Sequence, residues 1–131
     1  MRRVLGALAL LLVLVPATGA GQHIRPATAA GAYYPAGPDE LAAWIDGALA
    51  ATAPAAPPPA GRIVGLIAPH AGYLYSGRTA AAAYALVRGL PFETVVIVAP
   101  SHRVAFDGLT VWPDGGFETP LGLARVDAVL A

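Results

Sequence analysis

The chain has 131 residues, 56% hydrophobic and only 12% charged, which is enough for one small domain at most. Eight basic residues, all Arg, balance eight acidic ones, so the composition offers no basic surface for nucleic acid. Cysteine is absent, which excludes a disulfide framework, a thiolate zinc site, a cysteine nucleophile and a lipobox anchor within these residues.

The chain opens with Met1-Arg2-Arg3, an unbroken apolar run from Val4 to Val15, and small residues at Ala17-Thr18-Gly19-Ala20. A helix of about 12 residues spans only ~18 Å, too short for a hydrocarbon core of ~30 Å. The layout predicts a signal peptide over residues 1–20, cleaved after Ala20, and hence an exported protein with no membrane attachment after cleavage. A retained N-terminal anchor is the alternative. Removal of Arg2 and Arg3 leaves a slightly acidic mature chain.

Residues 21–131 then read as one α/β unit. Gln22 to Pro38 is an irregular lead-in, broken at Pro26, Gly31, Pro35 and Gly37. Leu41, Trp44, Ile45, Ala48 and Leu49 recur at helical spacing, with Pro38 suited to the first turn and Asp39 and Glu40 to the positive end of the helix dipole. Residues 51–61 are rich in Ala and Pro and predict a solvated, semi-extended loop.

Arg62 to Ala68 is a short apolar run of the kind buried on both faces of a sheet. A helix is predicted from Ser76 or Gly77 to Arg88, with Ser76 as N-cap and Gly89 just past its end. Thr94 to Ala99 is a second apolar run, rich in β-branched residues. Together these predict a βαβ crossover with two parallel strands. Leu109–Trp112 and Phe117–Thr119, on either side of Pro113-Asp114-Gly115-Gly116, predict a hairpin. Asp127 caps a last turn at Ala128-Val129-Leu130-Ala131. With about two helices to cover a parallel sheet, the sequence reads as the front part of a larger domain.

Candidate chemistry gathers at the ends of the two apolar runs, Ala68-Pro69-His70 and Ala99-Pro100-Ser101-His102. Ligands in open α/β sheets bind beyond the carboxyl ends of strands, and adjacent strands lie ~4.8 Å apart, so both imidazoles can reach one metal or one substrate atom. Tyr73 and Tyr75 offer phenols to such a pocket, and the free N–H groups of a helix start near Ser76 could hold an anion. Each residue also has a plainer explanation. A histidine after a strand is commonly a hydrogen-bonded loop residue, the tyrosines could serve packing, and Ser101 could serve a turn. Glu118 could place a carboxylate near the site but reads more simply as a solvated hairpin residue, and His23 as part of a frayed segment with no role. There is no Gly-x-Ser-x-Gly elbow, and without Lys no phosphate-binding P-loop.

Four motifs in order resemble one family. Ala30-Gly31-Ala32-Tyr33-Tyr34-Pro35 precedes Pro38-Asp39-Glu40-Leu41; then come Pro69-His70-Ala71-Gly72-Tyr73-Leu74-Tyr75-Ser76-Gly77, Pro100-Ser101-His102, and Glu118-Thr119-Pro120-Leu121-Gly122 with Val126-Asp127. From about Arg25 to Ala131 the chain resembles the Memo family, also called AmmeMemoRadiSam system protein B. The resemblance implies an α/β fold similar to the class III extradiol dioxygenases and a pocket metal, iron or copper. His70 and His102 match the family's metal-ligand histidines, Tyr33 an aromatic residue at the pocket edge, and Tyr75 a pocket tyrosine. In the family a cysteine and further acidic or histidine residues from the second half complete the site, and this sequence does not contain that half. Arg103 stands where many relatives have a second histidine, and Ala99 where many have glycine.

The expectation is therefore a Memo-like, metal-binding, dioxygenase-like redox protein, with its enzymatic activity open. Its metal would sit on His70 and His102, Tyr75 would be the catalytic donor, and Tyr33, Tyr73 and Ser101 would contact substrate. The rivals are a non-catalytic module that binds a peptide or small molecule in the same pocket, and a non-functional truncation. By family association the expected partners are a radical-SAM protein and a small companion protein.

Overall fold

In a computed structural model the described residues are 23–52 and 61–131; the signal-like segment, and most of the Ala/Pro-rich stretch, lie outside them. The described chain is a small mixed sheet with helices, an α/β arrangement. Its elements are strand β1 (Ile24–Arg25), helix α1 (Pro38–Ala51), a π-helical turn (Tyr73–Gly77), helix α2 (Arg78–Ala85), and strands β2 (Gly116–Thr119) and β3 (Gly122–Arg125). Among these residues no helix is long and apolar enough to cross a membrane.

Helix α1 forms where the apolar spacing places it. Pro38 occupies its first turn with Asp39 and Glu40, and the Leu41 N–H donates to the Gly37 carbonyl at 2.9 Å. The helix ends at Thr52, whose hydroxyl donates back to the Leu49 carbonyl at 2.6 Å. Among the described residues, Leu41, only 3% exposed, and Ala81 of α2, 5% exposed, are the buried apolar side chains. Gly77 lets the two helices meet, because a Cβ there would overlap the Trp44 ring. At the exposed end of this pair, Arg88 bonds Asp46 at 3.1 Å.

The second helical segment starts earlier than its sequence suggests. The N–H groups of Tyr75 and Ser76 donate to the Gly72 carbonyl at 2.9 and 3.2 Å, which winds a π turn ahead of α2. Ser76 does not act as N-cap; its hydroxyl donates to the Ala71 carbonyl at 3.1 Å. Turns continue beyond Ala85, and Gly89, at φ +76°, ends them as its sequence position predicts.

The expected βαβ crossover is not formed among the described residues. Residues 62–68 and 94–99 join no ladder. A strand buried on both faces requires a layer on each side. Here the cover is incomplete among the described residues: Ile63, Leu66 and Ala68 are half-buried, but Ile67 is fully exposed and Val98 is 83% exposed. The parallel pairing that does occur joins β1 to β2, with Ile24 opposite Gly116 and Arg25 opposite Phe117.

The hairpin also falls one segment later than expected. β2 pairs antiparallel with β3 across Thr119-Pro120-Leu121-Gly122, where the Thr119 hydroxyl donates to the Gly122 carbonyl at 2.8 Å and Gly122 has φ +123°. Leu109–Trp112 is not a strand. The Pro113–Gly116 turn instead receives the N-terminal segment, so its Gly115 bend does not fold 109–112 back onto 117–119. Asp127 behaves as the sequence predicts: its carboxylate accepts from the N–H groups of Val129 and Leu130 at 3.2 and 3.3 Å.

Candidate functional site

The two apolar runs end side by side. His70 follows the first and His102 the second, and their Nε2 atoms lie 3.0 Å apart, with ring centroids 5.2 Å apart and planes tilted by 40°. Both rings are exposed. Two neutral imidazoles at this distance share one hydrogen bond, one Nε2–H donating and the other Nε2 accepting. The same spacing suits a shared cation. Two nitrogens each about 2.1 Å from one ion and subtending about 90° at it would be separated by about 3 Å. The donor set is nitrogen only: among the described residues no group of three or more His, Cys, Asp or Glu is clustered to hold a metal.

The motif that carries His70 is anchored by its own backbone. The Tyr73 N–H donates to the Tyr33 carbonyl at 2.8 Å, and a Cβ on Gly72 would press on that same carbonyl, so glycine permits the approach. The Tyr33 loop is wound by bonds from Tyr33 N–H to the Ala29 carbonyl (2.9 Å) and from Gly31 N–H to the Tyr34 carbonyl (2.8 Å), where Gly31 has φ +80°. The lead-in is therefore a built loop docked on the histidine motif.

The tyrosines divide by environment. Tyr73 lies between Tyr34 and Trp44, with centroids 5.7 and 4.6 Å away. Burial raises the pKa of its phenol above 10, and the neighbouring Tyr34 and Tyr84 add to the shift. Tyr75, 84% exposed, and Tyr33, 57% exposed, present their rings to solvent. Ser101 is engaged locally: its hydroxyl donates to the Val104 carbonyl at 2.5 Å and accepts from the Val104 N–H at 3.3 Å, closing the turn that carries His102. Of the N–H groups expected to be free near Ser76, those of Tyr73, Tyr75 and Ser76 are spent on carbonyls. Tyr34, Leu41, Ile45, Tyr73, Thr119 and Leu121 line a shallow apolar depression, so residues of three separate motifs meet there.

His23, expected to be frayed, is instead a clasp. Its N–H and its Nδ1 meet the Asp114 carboxylate at 3.2 and 2.8 Å, and its carbonyl accepts from Trp112 Nε1 at 2.9 Å and from the Gly116 N–H at 3.1 Å. The His23 bonds, backbone N–H first, hold the Asp114 carboxyl below its ordinary range. The available signal was a turn bearing both Trp112 and Asp114, an indole donor and a carboxylate with no local partner. Asp127 is lowered in the same sense, chiefly by the Thr94 hydroxyl at 2.7 Å.

Comparison with known proteins follows the same motifs. A family model described as Memo-like protein matches residues 25–131. The memo-1 homolog of Caenorhabditis elegans is 40% identical over 113 residues, covering 83% of this chain and 30% of the relative. A MEMO1 family protein of Methanothermobacter thermautotrophicus is 40% identical over 114 residues, covering 82% of this chain and 41% of the relative. One from Thermoplasma volcanium is 34% identical over 108 residues, covering 82% and 39%. The chain thus spans well under half the length of these relatives. No solved structure matches it.

Proposed function

The chain belongs to the Memo-like protein family, and on that premise we propose that His70 and His102 are a metal-binding pair in a dioxygenase-like redox protein. The observation that carries the reading is the 3.0 Å separation of two exposed Nε2 atoms on segments 32 residues apart. Iron or copper suits imidazole donors and would supply a redox-active Lewis acid with open positions for further ligands. The residues of this chain would do the rest. His70 and His102 would each offer a neutral Nε2. The Ser101 hydroxyl would hold the 101–104 turn and so the orientation of His102. Tyr73 would fix the motif against α1 through its ring and against the Tyr33 loop through its N–H, and Tyr33 would contribute the exposed edge of that loop. Tyr75, whose phenol is exposed one turn beyond His70, would donate a hydrogen bond or a proton to a bound molecule.

The test is metal stoichiometry. After dialysis against iron(II) without oxygen, or against copper(II), the expected result is about one ion per chain, lost in His70→Ala and in His102→Ala. An unchanged ion content in the double variant would refute the assignment. The exposure of both imidazoles also suits a second reading, a module that binds a peptide or small molecule in the same pocket without turnover. Oxygen consumption by the metal-loaded protein separates the two. Export of the mature chain and association with a radical-SAM protein and a small companion belong to the same proposal; N-terminal sequencing of the secreted protein, expected to begin at Gly21, checks the first.

A further inference from the structure

We propose that the processed chain carries a second metal site at its own N-terminus, a copper(II) or nickel(II) site made by Gly21-Gln22-His23. It rests on the cleavage after Ala20 put forward above, which leaves a free amine on Gly21 and a histidine as the third residue. That spacing supplies an ordered set of nitrogens: the Gly21 amine, the backbone nitrogens of Gln22 and His23, and Nδ1 of the His23 ring. Successive pairs close five-membered and then six-membered chelate rings around one ion, and nitrogens in a square plane are the set that copper(II) and nickel(II) prefer. Gly21 and Gln22 lie outside the described residues and enter through their sequence alone.

His23 provides the structural observation. Its backbone nitrogen and its Nδ1 converge on a single atom, Oδ1 of Asp114, at 3.2 and 2.8 Å. The two nitrogens of the six-membered chelate ring therefore already aim at one point. The residue is fixed from its other side, because its carbonyl accepts from Trp112 Nε1 at 2.9 Å and from the Gly116 N–H at 3.1 Å, and neither bond uses a ligand nitrogen. The side chains of His23 and Asp114 are 64% and 49% exposed, so an ion reaches this point from solvent and the carboxylate can turn away. Binding releases one proton from the Gly21 ammonium and one from each amide of Gln22 and His23, with no change of oxidation state. The ring keeps its proton on Nε2, which frees Nδ1 for the ion. An α-amino group titrates near about 8, so the amine is available at neutral pH. The two amide anions cancel the charge of the ion, and the centre needs no carboxylate to balance it.

The test uses a His70→Ala, His102→Ala background, so that the metal assignment above does not enter. The chain is released from an N-terminal fusion so that it begins at Gly21, mixed with an equimolar amount of copper(II) chloride and desalted. The expected result is about one copper(II) retained per chain, with the absorption and paramagnetic resonance spectra of a planar nitrogen-only centre. Trp112 fluorescence should be quenched, and no quenching should remain in a Trp112→Phe variant. A second form begins with one extra Ala before Gly21, which keeps every side chain but makes His23 the fourth residue; the planar spectrum should then be lost. No retained copper in the first form, or the same spectrum in both forms, would overturn the proposal. The extra-Ala form with His70 and His102 intact lacks the N-terminal site, so the ion count of that pair is read in it. The intact mass of the secreted protein completes the test: a natural chain that does not begin at Gly21 would refute the cleavage and with it the site in the natural protein, whatever the released chain binds.

Discussion

The seam between α1 and α2 and the two runs that carry the histidines are both rich in apolar side chains, and they meet opposite fates. In the seam, Leu41 and Ala81 are buried, the Trp44 ring lies against Gly77, and Tyr73 fills the space between Trp44 and Tyr34. In the runs, Val64, Ile67 and Val95 to Val98 face solvent. The seam is satisfied by residues close in sequence or one loop away. The runs carry the pattern of an inner sheet, and such a pattern is satisfied only by neighbours on both sides and both faces. Hydrophobic patterning therefore states what a segment requires, and the surrounding chain decides whether it is met.

The sharpest way to break this contrast is at the seam. Trp44→Ala removes the ring that packs on both Tyr73 and Gly77, and should destabilise the fold by about 3 kcal/mol, read in urea melts. Gly115→Ala comes next. Gly115 has φ +75° and its Cβ would overlap the His23 carbonyl, so the variant should lose about 1–2 kcal/mol and release β1 from β2, seen as fast exchange at Arg25. At the runs the stability effect should be small. His70→Ala and His102→Ala should each change stability by less than about 0.5 kcal/mol while abolishing metal uptake; a loss as large as that of Trp44→Ala would mean that the site is part of the core.

The smallest effect concerns pH. The Asp114 carboxyl is lowered in the folded chain, so its contribution to stability is present above the ordinary carboxylate value of about 3.9 and is lost as pH falls through the lower folded value. Asp114→Asn should reduce the acid sensitivity of β1 docking in melts taken as pH falls below the ordinary carboxylate value of about 3.9. Asp127, lowered in the same direction, remains in that variant as an internal reference.

What was legible in the sequence is what is locally determined. Helix α1 follows from side chains three and four apart and from Pro38, all within one segment. The meeting of His70 and His102 was legible because each ends an apolar run in the same way, behind Ala-Pro, even though the runs do not become strands. The hairpin was misplaced because Pro113-Asp114-Gly115-Gly116 is the stronger turn signal by composition, while its bend serves contact with His23. That clasp spans 91 residues, and no local pattern reports a partner so far away. The division of labour between Tyr73 and Tyr75 was equally hidden, because a π turn rather than an α-helical start sets where each ring goes.

Gly116 is the central member of a three-strand row, with Ile24 opposite it on one side and Arg125 on the other. Segments from far apart in the sequence, at Ile24 and Arg125, are thereby held two strand spacings, roughly 10 Å, from each other. A covalent link between these two positions would span that distance without bending the sheet. Such a link would remove entropy from the unfolded chain and so hold the three-strand row together.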